Sequence, residues 1–298
     1  MDVAVVGSLH LDIMVKAPRL PQLDETLFGS HWHYKCGGKG GNQAQAAAQF
    51  GAKTAFGGQT GIDDFGDRLR ENLKRAGVDI SCVEQDPDHA SGMSVAITEA
   101  NGEYGAVVVS GANLTIEQAH MEQAWKGLWQ ARVLLLQNEI PEAISLQAAK
   151  LAKAQGGLVI LNAAPARPMT EEFLDLVDVL VVNRVEAAML SGEEEAGAGL
   201  LKLTKPGRHV VLTRGSEGLI GVSAQGERFV IEALPVQLLS SHGAGDCFCG
   251  ALAARLAQGD DFFRACQFAS IAAGLIVSTA EAERGRIGTD DVLARLNA

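Results

Sequence analysis

Apolar residues in this chain follow two rhythms. Short continuous runs at Val3-Ala4-Val5-Val6, Val133 to Leu136, Leu158 to Leu161, Val179 to Val182 and within His209 to Thr213 have no polar alternation, the mark of strands buried on both faces. Between them, apolar residues three or four apart predict helices over Pro141 to Gln155 and Glu171 to Leu176, and earlier over Asp67 to Ala76, stopped by Gly77. Strand and helix alternating in this way predict a mostly parallel sheet with helices on both faces. Lys53 to Gly57 adds a strand. Arg214-Gly215-Ser216-Glu217-Gly218 is a tight turn between His209–Thr213 and an antiparallel partner, Leu219 to Val222, which fits a sheet edge.

Two stretches depart from that rhythm. Ile13 to Tyr34 is short, Pro-punctuated and partly alternating, and Gly92 to Thr98 with Gly105 to Val109 flank the turn pair Asn101-Gly102. Both read as hairpins outside the main sheet, a small β lid of about 13–36 and 92–110. His31 and His33 share a face of the first hairpin; two histidines without a third ligand fit ordinary strand residues better than a metal site. Near the end, Phe248, Leu252 and Leu256 set a helix from about Gly245 to Gln258. Phe262 to Thr279 is an Ala-rich buried helix interrupted by Ser270 and Ser278. With no internal repeat and no linker, residues 1–298 read as a single domain.

Composition narrows the function. At 298 residues and 47% hydrophobic the chain has a substantial core, and its net charge of −11 argues against nucleic acid or an anionic membrane as main partner. Any phosphate must be met locally. Five cysteines with no CxxC pair fit a reducing cytoplasm rather than a disulfide framework. No basic leader precedes the first strand and no run of 18 apolar residues occurs, so neither secretion nor membrane spanning is expected.

The candidate chemistry starts at Ser241-His242-Gly243-Ala244-Gly245-Asp246-Cys247-Phe248. Small residues at a helix start leave free amides, backed by the helix dipole, open to a phosphate or a developing negative charge. Asp246 would repel such an anion unless it takes a proton from an attacking hydroxyl; an acidic first helical turn is the plain alternative. A second glycine-to-helix junction, Gly37-Gly38-Lys39-Gly40-Gly41-Asn42, lacks the Walker A frame but offers close backbone approach, a mobile cation and an amide for hydroxyls. His10 and Asp12 follow the first strand and would point the same way in an extended chain. Other strands end on Gln137-Asn138-Glu139, Asn162 and Asn183-Arg184-Val185-Glu186, which suggests one polar crevice at one sheet edge. Asn183 and Glu186 fit a capping box as well as a binding pair, and Glu193-Glu194-Glu195 fits a solvated helix start.

Together these stretches resemble the ribokinase-like (PfkB) carbohydrate kinase family across essentially the whole chain. Gly37 to Asn42 with Gln43-Ala44 resembles the first family signature in its ribokinase form, and Ser241 to Gly250 resembles the second. Asn183 to Glu186 is similar to the NxxE motif and Thr213 to Gly218 to the nucleotide-contacting turn. The resemblance implies a three-layer α/β sandwich with a β lid, and an ATP-dependent kinase acting on a primary hydroxyl of a sugar-like molecule. It implies Asp246 as catalytic base with Gly243, Ala244 and Gly245 as anion hole; Asp12, Gly38, Lys39, Asn42 and Glu139, together with His10, at the acceptor; Asn183, Thr213, Gly215, Gly218, Gly245 and Ser270 at ATP; and Glu186 placing Mg2+. A nucleoside kinase of the same family, with Trp32 or Tyr34 as aromatic platform, and a non-catalytic sugar sensor are the alternatives, the second opposed by retention of Asp246 and the glycines. The exposed lid strands offer an edge for homodimerisation.

Two positions depart from the pattern. His10 stands where an asparagine is usual, which shifts the expected acceptor away from ribose. Ser240 stands where an aspartate usually serves a monovalent-cation site. The charged segment Glu281-Ala282-Glu283-Arg284-Gly285-Arg286-Ile287 could answer with a guanidinium, from Arg284 or Arg286, or with a carboxylate, from Glu281 or Glu283; the guanidinium is preferred, so strong activation by potassium is not expected.

Overall fold

The continuous apolar runs are explained by where their side chains go. In the computed structural model, which describes residues 1–99 and 104–297, each central strand feeds two cores. Val3, Val5, Val133 and Leu135 pack into one core, and Ala4, Val6, Leu134 and Leu136 into the other. Alternation still operates, but both faces are dry.

The strands are β1 (Val3–Val6), β2 (His10–Lys16), β3 (His31–Gly37), β4 (Thr54–Gly61), β5 (Asp79–Asp86), β6 (Gly92–Thr98), β7 (Tyr104–Val109), β8 (Val133–Leu136), β9 (Leu158–Asn162), β10 (Val179–Val182), β11 (His209–Thr213), β12 (Leu219–Val222) and β13 (Arg228–Ile231). The large sheet has nine strands in the order β13-β12-β11-β10-β9-β8-β1-β4-β5. It is parallel from β5 to β11 and antiparallel at β12 and β13. One face carries α1 (Lys39–Gln49), α2 (Asp64–Arg75), α8 (Ala244–Ala257), α9 (Phe262–Val277) and α10 (Thr289–Leu296); the other carries α3 (Gln118–Ala124), α4 (Glu142–Ala154), α5 (Glu171–Asp175), α6 (Arg184–Ser191) and α7 (Ala196–Leu203). The result is three layers, as the strand–helix alternation predicts.

The edge differs from the expectation. Leu219 to Val222 is not outermost, because β13 pairs onto it. A short strand beginning with an arginine has too few residues for its period to be read, and tertiary packing decides it. Phe229 lies 5.6 Å from Phe262 and 5.0 Å from Phe263, ring centre to ring centre.

From β1 the chain moves outward through β4 and β5 and later returns to lay β8 on the opposite side of β1. The pair β1–β8 is therefore the switch point, and a crevice forms beyond its carboxyl ends. Val6 is opposite Leu136, so Ser8 and Glu139 emerge side by side.

The second sheet has four strands in the order β3-β2-β6-β7, with β2 parallel to β6 and antiparallel hairpin partners on each side. Its first strand begins at His10, earlier than the hairpin expected from Ile13. His10 pairs with Gly37 and with Gly92, so the chain passes almost directly from one sheet into the other. The Asn101-Gly102 turn lies outside the described residues. No helix among the described residues is long and apolar enough to cross a membrane.

Candidate active site

Helix α8 begins at Ala244 on Gly243, whose φ of 82° is left-handed and suits glycine. The amides of Gly243, Gly245 and Asp246 have no acceptor among the described residues; Ala244 N, expected in the anion hole, instead donates to Ser241 O at 3.3 Å because the turn into the helix closes on it, and Cys247 N donates to Gly243 O at 2.9 Å. A Cβ added to Gly243 or Gly245 would meet nothing within 4 Å. This helix start is open on its ligand side, with its donors free.

Asp246 sits one turn inside, 9% exposed. Asn42 Nδ2 donates to its Oδ2 at 2.9 Å and Gln43 Nε2 to its Oδ1 at 3.0 Å. Burial raises its pKa; Lys39 and the two amide donors pull the other way without cancelling the rise, and Glu139 adds to it. A carboxylate gripped at both oxygens and raised above its ordinary value is oriented to accept a proton. Lys39 feels the opposite balance. Burial opposes its charge, but Asp246, Glu139 and Glu186 outweigh that and raise its pKa, so it stays protonated among three carboxylates.

At the start of α1, Glu139 Oε2 accepts from Lys39 N at 2.8 Å and from Ser8 Oγ. It lies 3.9 Å from Nδ1 of His10, which is buried and whose Nε2, itself enclosed, has no hydrogen-bond partner among the described residues. Asp12 accepts from Ser94 Oγ at 2.6 Å. Contacts thus join His10, Lys39 and Glu139, and Asn42 with Asp246, while Gly38 opens α1 beside them and Asp12 faces Ser94 on the small sheet. The α1 glycines, however, approach the protein's own chain. A Cβ on Gly38 would meet Ser8 O at 2.7 Å and His10 N at 2.8 Å; one on Gly40 would meet Ser8 N at 2.7 Å.

Gln43 is missed by the sequence reading as a site residue. It is fully buried, grips Asp246, donates to Asn162 Oδ1 at 3.1 Å and accepts from Gln137 Nε2 at 2.8 Å. The available signal was a glutamine inside an otherwise alanine-rich, core-facing helix.

On the opposite flank, Asn183 and Glu186 form a full capping box. Asn183 Oδ1 accepts from Glu186 N at 2.9 Å, and Glu186 accepts from Asn183 N and Nδ2, both at 2.8 Å. The alternative left open by the spacing resolves to a cap, yet burial raises the Glu186 pKa and Lys39 acts on it, so this cap also faces the crevice. Each Glu186 oxygen accepts one of these bonds and keeps a second lone pair for a metal or for a water of the metal's shell. Thr213 Oγ1 donates to Val182 O at 3.3 Å, and Gly215 and Gly218 have φ of 61° and 77° in the following turn. Ser270 is half-buried on α9. Glu195 does not merely start a solvated helix: its two oxygens cap Gly197 N and Ala198 N at 2.8 and 2.6 Å.

Trp32 and Tyr34 alternate with Lys35, the cross-strand partner of Asp12, and so lie on the other face of the small sheet. Tyr34 packs against Phe65 at 5.8 Å and under Arg68. Neither ring is an acceptor platform. Ser240 brings no charge to its loop; instead the Arg284 guanidinium reaches that loop, while Arg286 faces Glu283 at 3.7 Å and Glu281 pairs with Lys35 at 2.7 Å. A cavity of about 450 Å³ beside α10, lined by Leu275, Arg286, Asp291 and neighbours, contains none of the site residues.

A buried carboxylate held beside free amides at a helix start, at the strand ends of a doubly covered parallel sheet, is an arrangement suited to phosphoryl transfer to an alcohol. Residues 1–286 match the model of the pfkB family carbohydrate kinases, and the chain belongs to that family. It is 34% identical over 284 residues to a ribokinase of Bacillus subtilis, with 95% of each chain covered. To a ribokinase of Mus musculus it is 35% identical over 263 residues, covering 86% of this chain and 81% of the other. The structure of Arabidopsis thaliana ribokinase complexed with ribose and ATP matches with a TM-score of 0.92 at 31% identity, covering 100% of this chain and 99% of that one. The protein is an ATP-dependent carbohydrate kinase that phosphorylates a primary hydroxyl.

Proposed function

We propose that the acceptor is a small sugar bound between Asp12, Lys39, Asn42, Glu139 and Asp246, and that His10 moves its preference away from D-ribose. The observation carrying the reading is the grip of Asn42 and Gln43 on Asp246 beside the open start of α8. Asp246 takes the proton of the primary hydroxyl as its oxygen attacks the terminal phosphorus of ATP in line, the bond from that phosphorus to the β–γ bridging oxygen breaks, and ADP leaves with the bond's electron pair. The Gly243, Gly245 and Asp246 amides then hold the charge on the transferring phosphoryl oxygens. Lys39, kept protonated, adds a positive charge, and Asn183, Thr213, Gly215, Gly218 and Ser270 line the nucleotide. Mg2+, held through the water shell of Glu186, would neutralise phosphate charge when bound.

The specificity argument rests on His10. An imidazole is larger than an amide and each of its nitrogens either donates or accepts, so His10, buried beside Glu139, shapes the acceptor rim differently from asparagine. The four-stranded sheet would act as a lid that excludes water during transfer, the whole chain working as a single kinase domain. Its exposed apolar residues, among them Trp32, Val107 and Val108, support a homodimer through this sheet, and five free cysteines support a cytoplasmic location.

The test is ATP consumption across pentoses, deoxypentoses, hexoses, ketoses, sugar acids and nucleosides, with product analysis. One sugar other than D-ribose should stand out by kcat/KM. D-ribose as best substrate would remove the role given to His10; turnover only with nucleosides would replace the reading.

A further inference from the structure

Arg284 belongs to neither glycine-opened helix start, yet its guanidinium closes the loop leading into one of them. Nη1 donates to His242 O at 3.0 Å, Nη2 to Ser240 O at 3.2 Å and Nε to Thr279 O at 3.1 Å. Three carbonyls from two separate stretches converge on one planar cation, whose rigid fork suits such a task. The loop's amides are held from the other side, with Leu239 N and Ser240 N both donating to Val277 O, at 2.9 and 3.2 Å. Immediately beyond these pinned groups come the Gly243 and Gly245 amides, which the loop itself leaves without partners.

Arg284 is in turn fixed by its own backbone. Gln49, at the end of α1, donates through Nε2 to Arg284 O and to Ile287 O, each at 2.7 Å. The nearby carboxylates are used elsewhere: Glu281 pairs with Lys35 and Glu283 faces Arg286. The guanidinium charge therefore acts on carbonyl dipoles rather than on an ion pair.

We propose that Arg284 is a positioning residue for phosphoryl transfer: it fills an oxygen cage with a tethered cation and so presets the loop that presents the Gly243 and Gly245 amides. The proposal rests on the assignment of those amides to the transferring phosphoryl group. Because transfer costs least when donors are already in place, loosening the loop lowers kcat more than it weakens acceptor binding, which belongs to the other helix start. A cage emptied by Arg284→Ala has room for a small planar cation.

The experiment compares wild type, Arg284→Ala, Arg284→Lys and the exposed control Arg286→Ala in steady-state kinetics, with amide hydrogen exchange over residues 239–246. Arg284→Ala should lose roughly 10-fold to 10²-fold in kcat, below the roughly 10²-fold to 10³-fold cost of deleting an anion-hole donor outright. The sugar KM should stay within about twofold, exchange over 239–246 should rise, and millimolar guanidinium should restore part of kcat in this variant alone. Arg284→Lys should fall between the two, Arg286→Ala should match wild type, and potassium, exchanged for a bulky organic cation at constant ionic strength, should leave wild type unchanged. Wild-type kcat and exchange in Arg284→Ala, or a saturating activation of wild type by potassium, would overturn the proposal. If the alanine variant does not fold, Arg284→Lys decides: a lower kcat at unchanged melting temperature supports the role and an unchanged kcat removes it. A wild type inactive on every acceptor speaks against the proposed function, while the exchange comparison still judges Arg284.

Discussion

At the start of α1, Cβ atoms on Gly38 or Gly40 would run into the backbone of residues 7–10 at less than 3 Å; at the start of α8, Cβ atoms on Gly243 or Gly245 would meet nothing within 4 Å. Both helices open on glycines, and their sequences invite one explanation, a ligand close to the backbone. In α1 the space is taken by the protein, and Glu139 already sits on the Lys39 amide. In α8 the space is free, and among the described residues so are the amides of Gly243, Gly245 and Asp246. Glycine reports that something comes close; only the fold says whether that is the chain itself or a ligand.

The largest effect that would sharpen this contrast is at the free helix start. Asp246→Asn should keep binding of ATP and sugar yet lose about 10²-fold to 10⁴-fold in turnover, the range for general-base catalysis. Near wild-type kcat in the folded variant would remove Asp246 as base and with it the reading of α8 as the reacting end.

A matched pair of alanines should give effects of opposite sign. Gly40→Ala should destabilise the protein by about 1–3 kcal/mol through overpacking against Ser8 and Gly7. Gly245→Ala should leave stability unchanged or raise it by up to about 1 kcal/mol, because alanine favours helix, while raising KM for ATP. Denaturant unfolding alongside ATP titration checks both, and equal stability losses would erase the distinction drawn between the two helix starts.

The smallest effect is in pH. The pKa of Asp246 is raised in the folded protein, chiefly by burial, so the folded state binds this proton more tightly than the unfolded chain. The resulting stability is present below the ordinary aspartate value, about 3.9, and is lost as pH rises through the higher folded value. Turnover should climb over the same interval as the base becomes free. The melting temperature of wild type relative to Asp246→Asn should therefore fall with rising pH while kcat rises. A parallel change in both would mean that Asp246 is not the group titrating.

What could be read without the fold follows from local physics. Continuous apolar runs disclosed doubly buried strands, and polar residues at their ends disclosed the crevice, because a parallel sheet collects strand ends along one edge. Gln43 stayed hidden because its role depends on Gln137, Asn162 and Asp246, each distant in sequence and joined only by packing. β13 was too short for its period to show. The roles of Trp32 and Tyr34 turned on strand register, where one residue's shift exchanges the faces. Asn183 and Glu186 were equally compatible with cap and site; the capping box formed, and the carboxylate still faces Lys39.

That double duty bears on how such a chain would decay if selection for catalysis were lifted. Glu139 is bonded at the start of α1 and Glu186 closes the start of α6, so substitutions there disturb folding as well as ligand binding and are purged on both counts. Asp246 is different: as a carboxylate held in a buried place against its preference, its neutralisation relieves a buried charge, which offsets the loss of an acceptor for one of its two amide donors. A lineage drifting toward a silent sugar binder would therefore lose Asp246 early and keep Glu139 and Glu186 long afterwards, and among degenerate copies an intact acceptor rim would be poor evidence of surviving activity.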